Sequence, residues 1–157
     1  MGTFRTIAAA ASAFAMLAGA PQAALAETPA DAAQAENLRK LDIMLMVTSL
    51  RCRKGAHDFQ ADYNDFSAKR LTIMKGAYAT LKNGHVKRLG ERGAKREMDK
   101  ISVGMANQYG LGHPWLQCDQ LKQVTRDLAS NGGQAELVLA AEHLLSPARP
   151  AQFAMVD

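Results

Sequence analysis

Only two cysteines, Cys52 and Cys118, and a single tryptophan, Trp115, occur in 157 residues. Neither cysteine belongs to a CxxC or lies at ligand spacing from a histidine, which argues against a zinc site, and no CxxCH is present to attach haem. GxSxG, the P-loop pattern and HExxH are all missing, so the signatures of a serine-hydrolase elbow, a phosphate cradle and a zinc protease are absent. "GLGHPW" lacks the third glycine and the preceding strand of a dinucleotide-binding turn. No cofactor is implied. No segment alternates apolar and polar residues as a half-buried strand does, and no internal repeat occurs. Beyond the first two dozen residues no apolar run approaches the roughly eighteen that a membrane span needs.

What is there begins with a leader. Arg5 supplies a short positive start, and "IAAAASAFAMLAGA" (residues 7–20) is an apolar stretch of fourteen. Pro21 breaks it, and Ala24-Leu25-Ala26 sets small residues at the −3 and −1 positions of a cleavage site before Glu27. This order predicts a secretory signal peptide over 1–26, cleaved after Ala26; an uncleaved anchor is the alternative. No twin arginine precedes the apolar run and no cysteine follows the cleavage point, which disfavours folded export and lipoprotein anchoring. Loss of the leader removes Arg5 and no acid, lowering the net charge from +4 to +3. The expected mature protein is a soluble periplasmic or secreted chain, not an integral membrane protein.

In an oxidising compartment an even pair of cysteines predicts a disulfide between Cys52 and Cys118. Turn residues divide the rest into helical pieces. Thr28 and Pro29 can start a helix through "NLRKLDIMLMVTSLRC", whose centre, Ile43 to Val47, is apolar on every side and so reads as buried. Gly55 ends it, and Asp58 can cap a second, long helix carrying Phe59, Tyr63, Phe66, Met74, Tyr78 and Leu81 up to Asn83-Gly84. Residues 84–93, with three glycines, read as a loop or frayed turn. A third helix carries Ala94, Met98, Ile101, Met105 and Tyr109. A fourth has Pro114 in its first turn, and a fifth covers about 134–145. The prediction is an all-α bundle of four to five helices, disulfide-braced, over 27–146, with a loose tail over 147–157.

Four places could carry chemistry. "QYGLGHPWLQC" (108–118) offers Tyr109 and Trp115 for stacking and His113 for proton or metal work. It reads equally as a corner, with Gly110 closing one helix, Pro114 opening the next, and Trp115 filling space beside the disulfide. The structural reading is the one adopted. Asp58, Asp62 and Asp65 share one helix face and could hold a cation or act as acid and base, although Lys69 stands one turn after Asp65 as a partner. Residues 82–100 hold Lys82, Lys87, Arg88, Arg92, Lys95, Arg96 and Lys100 against Glu91, Glu97 and Asp99, a local net charge of +4. Such a basic face suits anionic lipid, a cell-wall polymer or an acidic envelope protein. Nucleic acid is not expected outside the cytoplasm, and no aromatics interleave these charges. His57, His85, His113 and His143 are scattered, and Met44, Met74, Met98 and Met105 fall at core positions, which argues against a copper site; no metal is expected.

"LDIMLMVTSLRCR", "DFQADYNDF" and "ISVGMANQYGLGHPWLQC" resemble segments of small exported helical proteins of Gram-negative bacteria, over about residues 38–125. That group has no established activity, so the resemblance implies no catalytic residue. It implies that the two cysteine-bearing segments belong to one recurring unit. Such chains sometimes carry the name S-adenosyl-L-homocysteine hydrolase. That enzyme family is far larger, cytosolic and built around NAD on a Gly-rich βαβ turn, none of which occurs in this sequence.

The resulting expectation is a periplasmic binding or scaffolding protein. Its partner would meet the basic face at Lys87, Arg88, Lys95 and Arg96 or the corner at Tyr109, His113 and Trp115. The competing expectation is a small, hydrolase-like envelope enzyme using Asp58, Asp62 or His113, which requires those groups to converge in a pocket.

Overall fold

The computed structural model describes residues 29–146. The leader with its cleavage site and the tail over 147–157 lie outside the described residues. Five helices follow one another: α1 (Pro29–Cys52), α2 (Gln60–Lys69), α3 (Leu71–Tyr109), α4 (Cys118–Asn131) and α5 (Gln134–Leu145). All-α architecture is what the helical periodicity predicts.

α1 is the axis of the molecule and packs against all four other helices. Leu41, Ile43, Met44 and Leu45 are buried, as are Thr48 and Ser49, but Met46 and Leu50 are exposed, so one strip of the helix expected to be buried on every side reaches the surface. The two hydroxyls survive burial by turning back on their own helix. Thr48 Oγ1 donates to the Met44 carbonyl at 2.8 Å and Ser49 Oγ to that of Met46 at 2.7 Å. Asp31 in the first turn and Arg51 in the last oppose the helix dipole with the favourable signs.

The Cys52–Cys118 disulfide joins the last residue of α1 to the first of α4, with a Cα–Cα distance of 5.9 Å. It closes a loop of sequence separation 66. The expected brace is therefore present, and it lands on the helix ends the sequence named.

Three expected boundaries are corrected. The long second helix is broken at Arg70, whose backbone leaves helical geometry at φ −101°, ψ 9°. The Arg70 side chain explains why: Nε donates to the Leu128 carbonyl at 2.9 Å and Nη2 to that of Ala129 at 2.5 Å. One residue thus ends α2 and caps the open C-terminal carbonyls of α4. α4 itself starts at Cys118 and not at Pro114. Gln117 and Gln120 make a reciprocal capping box there, with Gln117 N donating to Gln120 Oε1 at 2.9 Å.

The third correction concerns residues 84–93, which are helical on both sides of one glycine. Gly90 has φ 68°, ψ 173° and splits α3 into arms of 71–89 and 91–109. The arms fold back on each other. Lys82 Nζ lies 3.8 Å from Glu91 Oε2, although nine residues of straight helix would separate their backbones by roughly 13 Å. Arg39 of α1 touches both arms at once: its guanidinium sits 5.8 Å from the Tyr78 ring centroid, and Nη2 donates to Ser102 Oγ at 3.4 Å. A straight helix would put positions 78 and 102 roughly 36 Å apart. α3 is a helical hairpin with Gly90 at its turn, and both arms embrace α1.

Candidate functional site

The tryptophan corner follows from how the chain leaves α3. Tyr109 is buried and Gly112 N donates to its carbonyl at 2.9 Å, with Gly112 at φ 115°. That turn sets the His113 ring parallel to Tyr109, 25° between planes and 5.4 Å between centroids. His113 Nε2 lies 3.0 Å from the Leu144 carbonyl near the end of α5. A carbonyl only accepts, so Nε2 carries the proton. Nδ1 is then free to accept from the backbone N–H of Leu116 at 3.3 Å and of Trp115 at 3.5 Å. Burial lowers the His113 pKa, partly offset by the bond to Leu144. Trp115 stands edge-on to His113 at 4.6 Å and to His143 at 5.8 Å. His113 thus acts as a side-chain cap for a turn ahead of α4. The corner joins α3, α4 and α5 next to the disulfide, and both polar atoms of His113 are spent in doing so.

The three aspartates do not assemble a site either. Asp58 Oδ1 accepts from the Gln60 N–H at 2.9 Å, which fastens the start of α2. Asp62 pairs with Arg126 Nε at 2.7 Å and lies 3.9 Å from Lys122 Nζ, which itself donates to the Asp58 carbonyl at 2.8 Å. Asp65 pairs with Lys69 at 2.8 Å. The contacts of Lys122 and Arg126 tie the start of α2 to α4, while that of Asp65 stays within α2. No carboxylate is among the hydrogen-bond partners of His113. Among the described residues, no group of three His, Cys, Asp or Glu side chains could hold a metal ion.

A polar cluster that the sequence reading passed over lies inside the bundle. Asp42 of α1 accepts from Tyr63 Oη of α2 at 3.1 Å and from Arg39 Nη1 at 3.1 Å. Arg39 continues to Ser102 and Tyr78 on the two arms of α3. Burial raises the Asp42 pKa, while Tyr63 and Arg39 pull it down. Burial also raises that of Tyr63, and the neighbouring Asp42 charge adds to the rise. The cluster links α1, α2 and α3 through charge-assisted hydrogen bonds. Its signal was available: an Arg39/Asp42 pair one turn apart within a helix whose following turn is wholly apolar.

The α3 hairpin tip is different in kind. Between Leu81 and Met98 the buried residues are His85, Gly93 and Ala94, while every residue from 87 to 92 is exposed, as are Lys95 and Arg96. Gly93 lies beneath Leu89: a Cβ at 93 would sit 2.5 Å from the Leu89 Cβ, so the turn closes only over a glycine. Arg88 Nη2 donates to His85 Nδ1 at 2.8 Å, and His85 Nε2 has no hydrogen-bond partner among the described residues. Lys82 and Lys100, at the margins, approach Glu91 and Glu97 at 3.8 and 3.9 Å. Lys87, Arg88, Arg92, Lys95 and Arg96 form no ion pair among the described residues. The sequence placed these cations in one stretch; the reversal at Gly90 brings Lys87 and Arg88 to the same end as Arg92, Lys95 and Arg96.

A cleft of about 390 Å³ also opens between the first half of α1, the start of α3 and Gln134, over a floor of Ala35, Leu38, Ile73 and Ala77. Compared with known proteins, the chain matches no family model, no curated protein and no solved structure.

Proposed function

We propose that this is a binding or scaffolding protein of the cell envelope, exported through its leader, which engages an acidic partner with the tip of the α3 hairpin. The observation behind this reading is a contrast between surfaces. At the corner both ring nitrogens of His113 are held by internal bonds, while the buried Trp115 Nε1 has no partner among the described residues; along α2, Asp62 and Asp65 are held in ion pairs. At the tip, five cations are exposed and form no ion pair among the described residues, leaving an excess of positive charge over the nearby Glu91, Glu97 and Asp99. Exposed charges held on a rigid turn favour encounter with an oppositely charged surface and release as salt rises. The likeness to small exported helical proteins agrees with this reading and adds no residue to it. A hydrolase-like enzyme would need Asp58 or Asp62 to converge with His113, and the partners of these residues lend that idea no support.

The test is retention of the purified protein on an immobilised envelope fraction across a salt gradient. The parent should elute at higher salt than a variant carrying Lys87→Gln, Arg88→Gln, Lys95→Gln and Arg96→Gln. Identical elution would refute the assignment of the tip.

A further inference from the structure

An apolar side chain stands at the turn among the exposed cations, with the exposed Glu91 on its far side. Leu89, the last residue before the Gly90 turn, is 50% exposed, with Lys87 and Arg88 preceding it and Arg92, Lys95 and Arg96 following on the returning arm. Its Cβ rests over Gly93, so the leucine is fixed at the turn while the rest of its side chain faces outward.

A polyanion would engage the cations and not Leu89. A bilayer uses both kinds of group: anionic headgroups receive the cations, and the headgroup–acyl boundary receives the leucine. Long Lys and Arg stems suit this arrangement because their methylenes lie along apolar surface while the charges stay at the phosphates. The tip is a single turn at Gly90 between two helical arms. Among the described residues no helix is long and apolar enough to cross a membrane, so such contact would be peripheral.

We propose that the α3 hairpin tip docks on the anionic phospholipid surface of a bilayer, with Leu89 entering the interface beside the exposed cations Lys87, Arg88, Arg92, Lys95 and Arg96. This rests on the reading of the tip as the binding surface and names its partner.

Co-sedimentation with vesicles tests it, using protein in the form the cell accumulates and vesicles of phosphatidylcholine with or without phosphatidylglycerol. Binding is expected only to the anionic vesicles. The double variants Lys87→Gln/Arg88→Gln and Lys95→Gln/Arg96→Gln should each weaken it roughly tenfold or more. Leu89→Ser keeps the Cβ over Gly93 and the net charge, and should still lower affinity several-fold at unchanged thermal stability. If the parent ignores anionic vesicles yet shows charge-dependent retention on the envelope fraction, the lipid assignment is overturned and the basic binding surface stands. If Leu89→Ser binds vesicles as the parent does while the charge variants do not, insertion is overturned. If the charge variants match the parent in both assays, both readings fall.

Discussion

His113 and Leu144 stand 31 positions apart in the chain and 3.0 Å apart in space, joined by an imidazole N–H and a carbonyl oxygen at the end of α5. The other ring nitrogen faces two backbone N–H groups, so only the neutral ring fits. Because burial holds the folded-state pKa below that of the unfolded chain, this contribution to stability is complete above about pH 6.5. It is lost as pH falls from there through the folded-state value. Urea titrations across that window should show a loss of stability that His113→Asn abolishes. His113→Ala should cost about 1–3 kcal/mol at neutral pH, since the Leu144 carbonyl and two N–H groups lose their partner. An equal pH slope in the parent and His113→Asn would argue against the neutral-ring assignment.

The disulfide beside this corner makes a larger claim on stability. Chain-entropy arithmetic for a loop of 66 residues gives about 4 kcal/mol from restricting the unfolded state. Cys52→Ser/Cys118→Ser should therefore melt well below the parent while keeping its helical circular-dichroism signal. Thiol titration of the unreduced, denatured parent should find no free cysteine. Two reactive thiols would contradict the bridge.

Gly90 and Gly104 should respond to alanine with opposite signs. Gly90 occupies φ 68°, ψ 173°, a region essentially restricted to glycine, and Gly90→Ala should cost on the order of 1–3 kcal/mol. Gly104 sits exposed within the second arm with open space where a Cβ would point, so Gly104→Ala should gain about 0.5–1 kcal/mol. Chemical denaturation of the two variants decides this. A Gly90→Ala variant as stable as Gly104→Ala would mean that the hairpin turn lies elsewhere.

How far these features were legible depends on the range of the interaction that makes each one. The burial of Ile43, Met44 and Leu45 could be read from the apolar Ile43–Val47 run, although Met46 within it is exposed, and the Cys52–Cys118 pairing from cysteine count and the expected compartment. Both rest on local pattern or elimination. The break at Arg70 could not, because its cause is a side chain bonding carbonyls 58 and 59 positions away, while the local sequence continues a helical stripe. Three glycines at 84, 90 and 93 marked a discontinuity without saying which residue would bend. Gly84 stays helical, Gly93 makes room for Leu89, and Gly90 alone reverses the chain. The basic segment was plain in the sequence; its assembly into a tip required the reversal.

Asp42 yields the least intuitive prediction, because it opposes the usual behaviour of a paired carboxylate. Burial outweighs its bonds to Tyr63 and Arg39, so its pKa is raised in the folded protein. A raised folded-state value means that its favourable contribution is fully present below about pH 4, the unfolded range, and is lost as pH rises through the folded-state pKa. Asp42→Asn retains an acceptor for Tyr63 and removes the charge. The stability of this variant relative to the parent should therefore improve between acid and neutral pH, ending within about 1 kcal/mol of the parent or above it. Asp42→Ala leaves both Tyr63 Oη and the Arg39 guanidinium without their acceptor, and should be the less stable of the two by about 1–3 kcal/mol. Denaturant midpoints of the three proteins at acid and neutral pH give the sign. A relative loss for Asp42→Asn on going to neutral pH would mean that the Arg39 ion pair, and not desolvation, governs this carboxylate.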